Sequence, residues 1–224
     1  MSDLPRFLAL EGLRGVGKST VAPLVAAALG AELVPTVPPP YAAARRHVDG
    51  RENPEARMCL YLAALFDAAE RIRQLGCEGR SVVVESYFAR CFATHLGMGA
   101  RLHVVLPPRL PAPLSFRLLC SEPERQRRLL TRVKATTHWD ALAESSASRI
   151  SAVYDHFPMA PIDTTDHTPQ QVAETICDRL REDTADADRE PVGTDADVLS
   201  AVPPRPRRAG HRGGEDCSGR GLGR

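Results

Sequence analysis

LALEGLRGVGKSTVAPLV, residues 8–25, passes from an apolar stretch through a burst of glycines and one lysine into a second apolar repeat. Lysine and arginine together number 29, yet only two are lysines, and one of them is Lys18. Gly12 to Ser19 fits the pattern G-x-x-x-x-G-K-[ST]. Before it, residues 6–11 (RFLALE) form an apolar run of buried-strand length; after it, residues 19–29 have helical apolar spacing and end at Gly30, a natural C-cap. A glycine-rich turn between a strand and a helix is the context in which this pattern means a phosphate cradle.

The chemistry asks for these residue types. Glycines let the backbone turn its N–H groups inward around phosphate oxygens, and the helix start adds the positive end of its dipole. Lys18 brings a point charge to the β- and γ-phosphates, and Ser19 offers a hydroxyl to Mg²⁺. Gly12, Arg14, Gly15, Val16, Gly17, Lys18, Ser19 and Thr20 are therefore assigned to nucleotide binding. A phosphate-bound Mg²⁺ calls for an acid at the end of a neighbouring strand, and VVVE supplies Glu85 after three valines. Ser19 and Glu85 form the expected metal pair. Glu11, just before the cradle, suits either a loop or metal-water contact or a purely structural role.

Along the rest of the chain, short apolar runs alternate with helical patterns. Strands are expected near residues 32–35, 81–86, 114–120 and 160–165, the first of these ending before a proline-stiffened loop that begins at Pro35. Helices are expected over 57–75, 87–96, 141–157 and 169–181, with another through the Arg-dense EPERQRRLLTRVK that follows Cys120. Such alternation predicts an α/β fold with a parallel sheet covered by helices on both faces.

With 224 residues, 43% of them hydrophobic, the chain can bury one good core. One P-loop domain is expected over residues 1–183 and a disordered C-terminal tail over 184–224, where seven acids and seven arginines come with no aromatic residue. Turnover is expected to survive loss of that tail. The net charge of +1 offers no global field for nucleic acid or an anionic membrane. No signal-like or membrane-spanning run is evident, and the six cysteines lack paired spacing, so a cytoplasmic setting with reduced thiols is expected.

Several nucleotide-binding classes lose support by absence. A guanine-reading N-K-x-D motif is missing, the other lysine being Lys134 in RVKAT, and so is an L-S-G-G-Q signature. What remains is a compact small-molecule kinase. FLALEGLRGVGKST, residues 7–20, closely resembles the N-terminus of thymidylate kinases, a family of P-loop kinases. More loosely, GRSVVVESY (79–87) falls where that family has a glycine, a strand and D-R-Y. LSFRLLCSEPERQRRLLTR (114–132) falls where it has a strand, a P-E turn and an Arg-bearing helix, and IDTTDHTPQQVAETI (162–176) resembles its closing strand and helix. Related deoxynucleoside kinases carry E-R-S where this chain has Glu85-Ser86-Tyr87.

The resemblance implies a three-layer P-loop kinase sandwich with a five-stranded parallel sheet and a small Arg-bearing lid. It implies ATP and Mg²⁺ as cofactors and a small-molecule phosphoryl acceptor, a nucleotide or nucleoside, and it leaves room for a homodimer. Arg125, Arg127, Arg128 and Arg132 are the lid candidates; Arg125, Arg128 and Arg132 share one face at i, i+3 and i+7, and Arg128 and Arg132 are assigned to catalysis beside Lys18 and Glu85. Three acceptor-side positions depart from the family: Arg14 replaces an acid, Ser86 replaces the D-R-Y arginine, and the loop after the second strand reads Pro35-Thr36-Val37-Pro38. Arg14 either grips an acceptor phosphate or points to solvent. If the acceptor were an alcohol, Glu85 is the one well-placed base unless Asp67 or Glu70 reaches in. Tyr41, Tyr61, Phe66 and Tyr87 are candidates to stack a flat base. His95, His103, His138 and His156 have no metal-ligand spacing, and Trp139 with Asp140 reads as a helix start.

Overall fold

Residues 6–132 and 136–187 are described in a computed structural model, with side chains through residue 182. β1 (Phe7–Glu11), β2 (Glu32–Val34), β3 (Val82–Glu85), β4 (Leu114–Leu119) and β5 (Ala160–Asp163) make one parallel sheet in the order β2-β3-β1-β4-β5. Leu10 lies level with Glu85 of β3 on one side and with Phe116 of β4 on the other. After β3 the chain crosses over β1 to form β4, so the C-terminal ends of β1 and β3 border the crevice where the strand order switches.

Both faces of the sheet are covered, which is why its strands read as continuous apolar runs. On one face Leu8, Leu10, Val83, Phe116 and Leu118 pack under α1 (Lys18–Ala28) and α8 (Pro169–Ala187). On the other, Ala9, Val82 and Val84 meet α3 (Pro54–Cys77) and α4 (Phe88–Gly97). The result is a P-loop-kinase-like three-layer sandwich, as the sequence predicts.

Three helical expectations are corrected. The proline-rich segment after β2 contains a 3-10 turn (Pro39–Tyr41) that leads into α2 (Ala42–Asp49). The expected helix over 141–157 is two helices, α6 (His138–Ser145) and α7 (Ala147–Tyr154), parted at Ser146. The N-terminus of α6 is a capping box: Thr137 accepts from the Asp140 amide while Asp140 accepts from that of Thr137. The last helix runs to Ala187 rather than 181, so residues 184–187 of the expected tail are helical; residues 188–224 lie outside the described part. α5 (Glu122–Leu130) completes the set, and no described helix is long and apolar enough to cross a membrane.

Candidate active site

The loop between β1 and α1 is pinned by its carbonyls. The Arg14 carbonyl accepts from the Arg125 guanidinium at 3.1 Å, the Val16 carbonyl from the Thr164 hydroxyl at 3.1 Å, and the Gly12 carbonyl from Arg90 at 2.7 Å. With these oxygens tied to the scaffold, the amides are turned the other way. Those of Gly15, Gly17, Lys18 and Ser19 donate to no other described residue. Two glycines make the turn possible. Gly17 caps α1 with φ of 100°, and a Cβ on Gly12 would lie 2.4 Å from the Leu118 carbonyl oxygen.

Lys18 is buried, and its ammonium donates to the carbonyls of Gly12 (2.8 Å) and Leu13 (2.7 Å). Burial first, then the nearby Arg90 guanidinium, bring its pKa down to about 7. The Ser19 hydroxyl donates to Glu85 Oε1 at 2.6 Å, so the residues expected to share a metal are in contact. Glu11 is fully buried, its carboxylate accepting from the Tyr87 amide at 2.7 Å and the Tyr154 hydroxyl at 3.3 Å; burial raises its pKa. Of the two roles open to Glu11, the geometry supports the structural one: it braces the strand end against the start of α4 and against α7.

From this loop a cavity of about 520 Å³ extends between α2, α3 and α4. Arg14, Gly15, Gly17, Lys18, Ser19 and Thr20 form its mouth, whereas Gly12 and Val16 stand behind the wall. Among the described residues seven cationic side chains but only two carboxylates, Glu85 and Asp140, line it. Arg14 neither points to solvent nor reaches free into the cavity: it pairs with Asp140 at 3.2 Å and Glu144 at 3.7 Å on α6.

The four lid arginines do not converge. Arg125 is buried, holding Glu122 (2.8 Å), Glu144 (2.7 Å) and the Arg14 carbonyl, and Arg127 is spent on Glu124 at the surface. The helix ends at Leu130, so the i, i+3, i+7 face breaks before Arg132. Arg128 and Arg132 do line the cavity. Arg128 donates to the carbonyls of Thr164 (2.6 Å) and Thr165 (3.2 Å) and to Glu124, while no hydrogen bond or ion pair to another described residue holds the Arg132 guanidinium.

Of the stacking candidates, Tyr61 and Tyr87 line the cavity; Phe66 packs on Phe88 and Tyr41 bonds the Ala63 carbonyl. Glu70 is paired with Arg73 on the surface and Asp67 is exposed, so neither reaches the site.

Sequence reasoning missed Arg90, Arg57 and His95. Arg90 enters the cavity four residues beyond Ser86, where the family resemblance placed an arginine. A signal existed: a cation in the first turn of a helix, with no acid beside it, opposes the helix dipole and needs another reason to be there. Ser86 itself has φ of 73°, a left-handed turn that swings the chain from Glu85 into α4. His95 is buried, and Arg57 lies against its Nε2 at 3.0 Å, so Nδ1 carries the proton and donates to the Cys91 carbonyl at 2.7 Å. Burial and Arg57 bring its pKa down to about 4.

No protein-family model matches the chain, and neither does any curated protein. Among solved structures it is similar to the thymidylate kinase from Candida albicans, described as having broad substrate specificity and a novel structural element. The two share 15% identity with a TM-score of 0.65, over 80% of this chain and 92% of that one. At that identity the likeness is one of fold.

Proposed function

We propose that the protein is an ATP- and Mg²⁺-dependent small-molecule kinase that transfers the γ-phosphoryl group to a nucleoside monophosphate, as a thymidylate kinase does. The observation that carries this reading is the union of two features in one cavity: unpaired amides around a buried lysine, and a wall of cations leading away from them. The oxygen pair Ser19 and Glu85 fits a hard divalent cation, and among the described residues no group of three His, Cys, Asp or Glu side chains offers an all-protein metal site. Mg²⁺ bound there with ATP supplies charge neutralisation to the β- and γ-phosphates.

The protein's own part is orientation and electrostatics. Loop amides and Lys18 hold the donor phosphates, Lys18 exchanging its two carbonyl partners for phosphate oxygens. Arg90, at the junction of loop and cavity, grips the acceptor phosphate, and Arg132 neutralises charge on the group in transit. An ionised phosphate acceptor needs no base. A hydroxyl acceptor would, and the two cavity carboxylates are engaged, Glu85 by Ser19 and Asp140 by Arg14. This favours the phosphate acceptor.

ADP release measured against nucleoside monophosphates, nucleosides and sugar alcohols tests the reading. Monophosphates are expected to stimulate release and the alcohols not, and Lys18→Ala is expected to lower turnover by about 10²–10³-fold. Stimulation by nucleosides alone, or full turnover in Lys18→Ala, contradicts it.

A further inference from the structure

The cavity has a second cationic end that phosphoryl transfer does not use. Arg57 of α3 packs its guanidinium against the rings of Tyr61 (4.5 Å) and Trp139 (4.9 Å). Its Nε donates to Asp49 at 2.7 Å, one terminal nitrogen to His95 at 3.0 Å and the other to the Tyr61 hydroxyl at 3.1 Å. Of five N–H groups three are thus placed, and two remain on a guanidinium that lines the cavity. Arg45 of α2 lines the same end, 5.7 Å from the Tyr61 ring centroid. Among the described residues both arginines share a single carboxylate, Asp49, which is not among the lining residues. One positive charge is therefore left uncompensated, with a neutral imidazole beside it.

A second observation marks the same region. The Thr94 hydroxyl, on a cavity-lining residue only 7% exposed, has no hydrogen-bond partner among the described residues. A helical threonine ordinarily bonds a carbonyl one turn back; left unpaired in a buried wall, this one lacks a partner that a ligand can provide. Arg90, Thr94 and His95 lie along one helix. At about 1.5 Å per residue, the Arg57–His95 contact stands roughly 7–8 Å beyond Arg90 along α4. The two cationic ends are therefore far enough apart to engage opposite ends of one small molecule.

We propose that this end of the cavity is a second anion site, so that the phosphoryl acceptor carries a carboxylate or phosphate group remote from the phosphate that is extended. The inference rests on the kinase reading above and adds the acceptor's distal chemistry to it. Arg57 is held in place by three partners and presents its free edge; Arg45, at the rim, supplies the excess charge; the Thr94 hydroxyl adds a donor. A neutral substituent would leave that charge without a counterpart in the cavity.

Calorimetry with two pairs of probes tests this. Uridine 5′-monophosphate and orotidine 5′-monophosphate differ by one carboxylate, and thymidine 5′-monophosphate and thymidine 3′,5′-bisphosphate by one phosphate. In at least one pair the added anion is expected to tighten binding by about ten-fold or more; the pair that responds tells carboxylate from phosphate. Arg45 has a half-exposed side chain, so Arg45→Glu should fold, and it is expected to bring the ratio within that pair below one. No gain in either pair, no binding of any of the four probes, or a gain that persists in Arg45→Glu overturns the proposal. The affinity for Mg–ATP, read in the same experiments, separates the two levels: if it is retained without discrimination within the pairs, only the second anion site falls, whereas its absence removes the kinase reading itself.

Discussion

A buried imidazole that accepts a hydrogen bond from a guanidinium has one protonation state open to it near neutral pH. His95 faces Arg57 and Arg90, which oppose its charging, and Asp49 and the Cys91 carbonyl, which favour it; burial and Arg57 prevail and set its pKa at about 4. The unfolded chain then binds one more proton than the folded one between pH 4 and the ordinary histidine value. Stability accordingly falls as pH drops through that window, by at most about 1.4 kcal/mol per pH unit for this group. Urea denaturation of wild type and His95→Gln at pH 7, 5.5 and 4.5 measures it. The variant keeps both hydrogen-bonding roles without titrating, and its stability is expected to depend less steeply on pH; identical slopes would refute the assignment. The two cavity-lining arginines near α5 differ in the same concrete way. Arg132→Ala is expected to lower kcat by about 10²-fold with little change in stability. Arg128→Ala, which frees the Thr164 and Thr165 carbonyls, is expected to cost about 1–3 kcal/mol of stability and less of kcat. Steady-state kinetics and denaturant curves on the two variants decide between these patterns, and the reverse pattern would exchange their roles.

Among the elements, those with a single clear pattern were legible. β1, the glycine loop and α1 follow from consecutive residues, and Val82–Glu85 announces a buried strand with an acid at its end. Elements whose shape depends on distant partners were not. α2 follows three prolines that read as a loop, although proline suits the entry to a helix as well as it suits a turn. The break between α6 and α7 leaves no gap in apolar spacing; it falls at Ser145-Ser146, where the Ser145 hydroxyl takes the Leu142 carbonyl. It also sets α7 against α4 so closely that a Cβ on Gly97 would lie 2.6 Å from Ile150 Cγ1. Arg125 shows the same limit. Its position on a basic helix resembles a lid residue, but the fold buries it as the link between α5, α6 and the phosphate loop. Arg125→Met is expected to destabilise the protein by about 1–3 kcal/mol, because the Arg14 carbonyl loses its donor and Glu144 keeps only its 3.7 Å pair with Arg14. Thermal unfolding with and without Mg–ATP checks this; an unchanged midpoint would return Arg125 to the list of transfer residues.

For the molecule as a whole, the sequence pattern was enough to predict five parallel strands between two helical layers, because burial on both faces leaves its mark in each strand. The segment proposed to hold the donor was equally readable, being one short stretch of sequence. The proposed acceptor half was not: its wall is drawn from α2, α3, α4 and the residues around α5 and α6, and only the folded chain brings Arg45, Arg57, Arg90 and Arg132 to one cavity. A net charge of +1 conceals this, since the acids sit elsewhere and the cations are concentrated at the crevice. The central claim is that this crevice joins a donor triphosphate to an acceptor phosphate, and the new P–O–P bond is its direct sign. Phosphorus NMR of the protein with Mg²⁺, ATP and a mixture of nucleoside monophosphates should show ADP growing together with the β-phosphate of a second nucleoside diphosphate. Inorganic phosphate as the sole new signal, or a new phosphomonoester without a second diphosphate, would contradict the account.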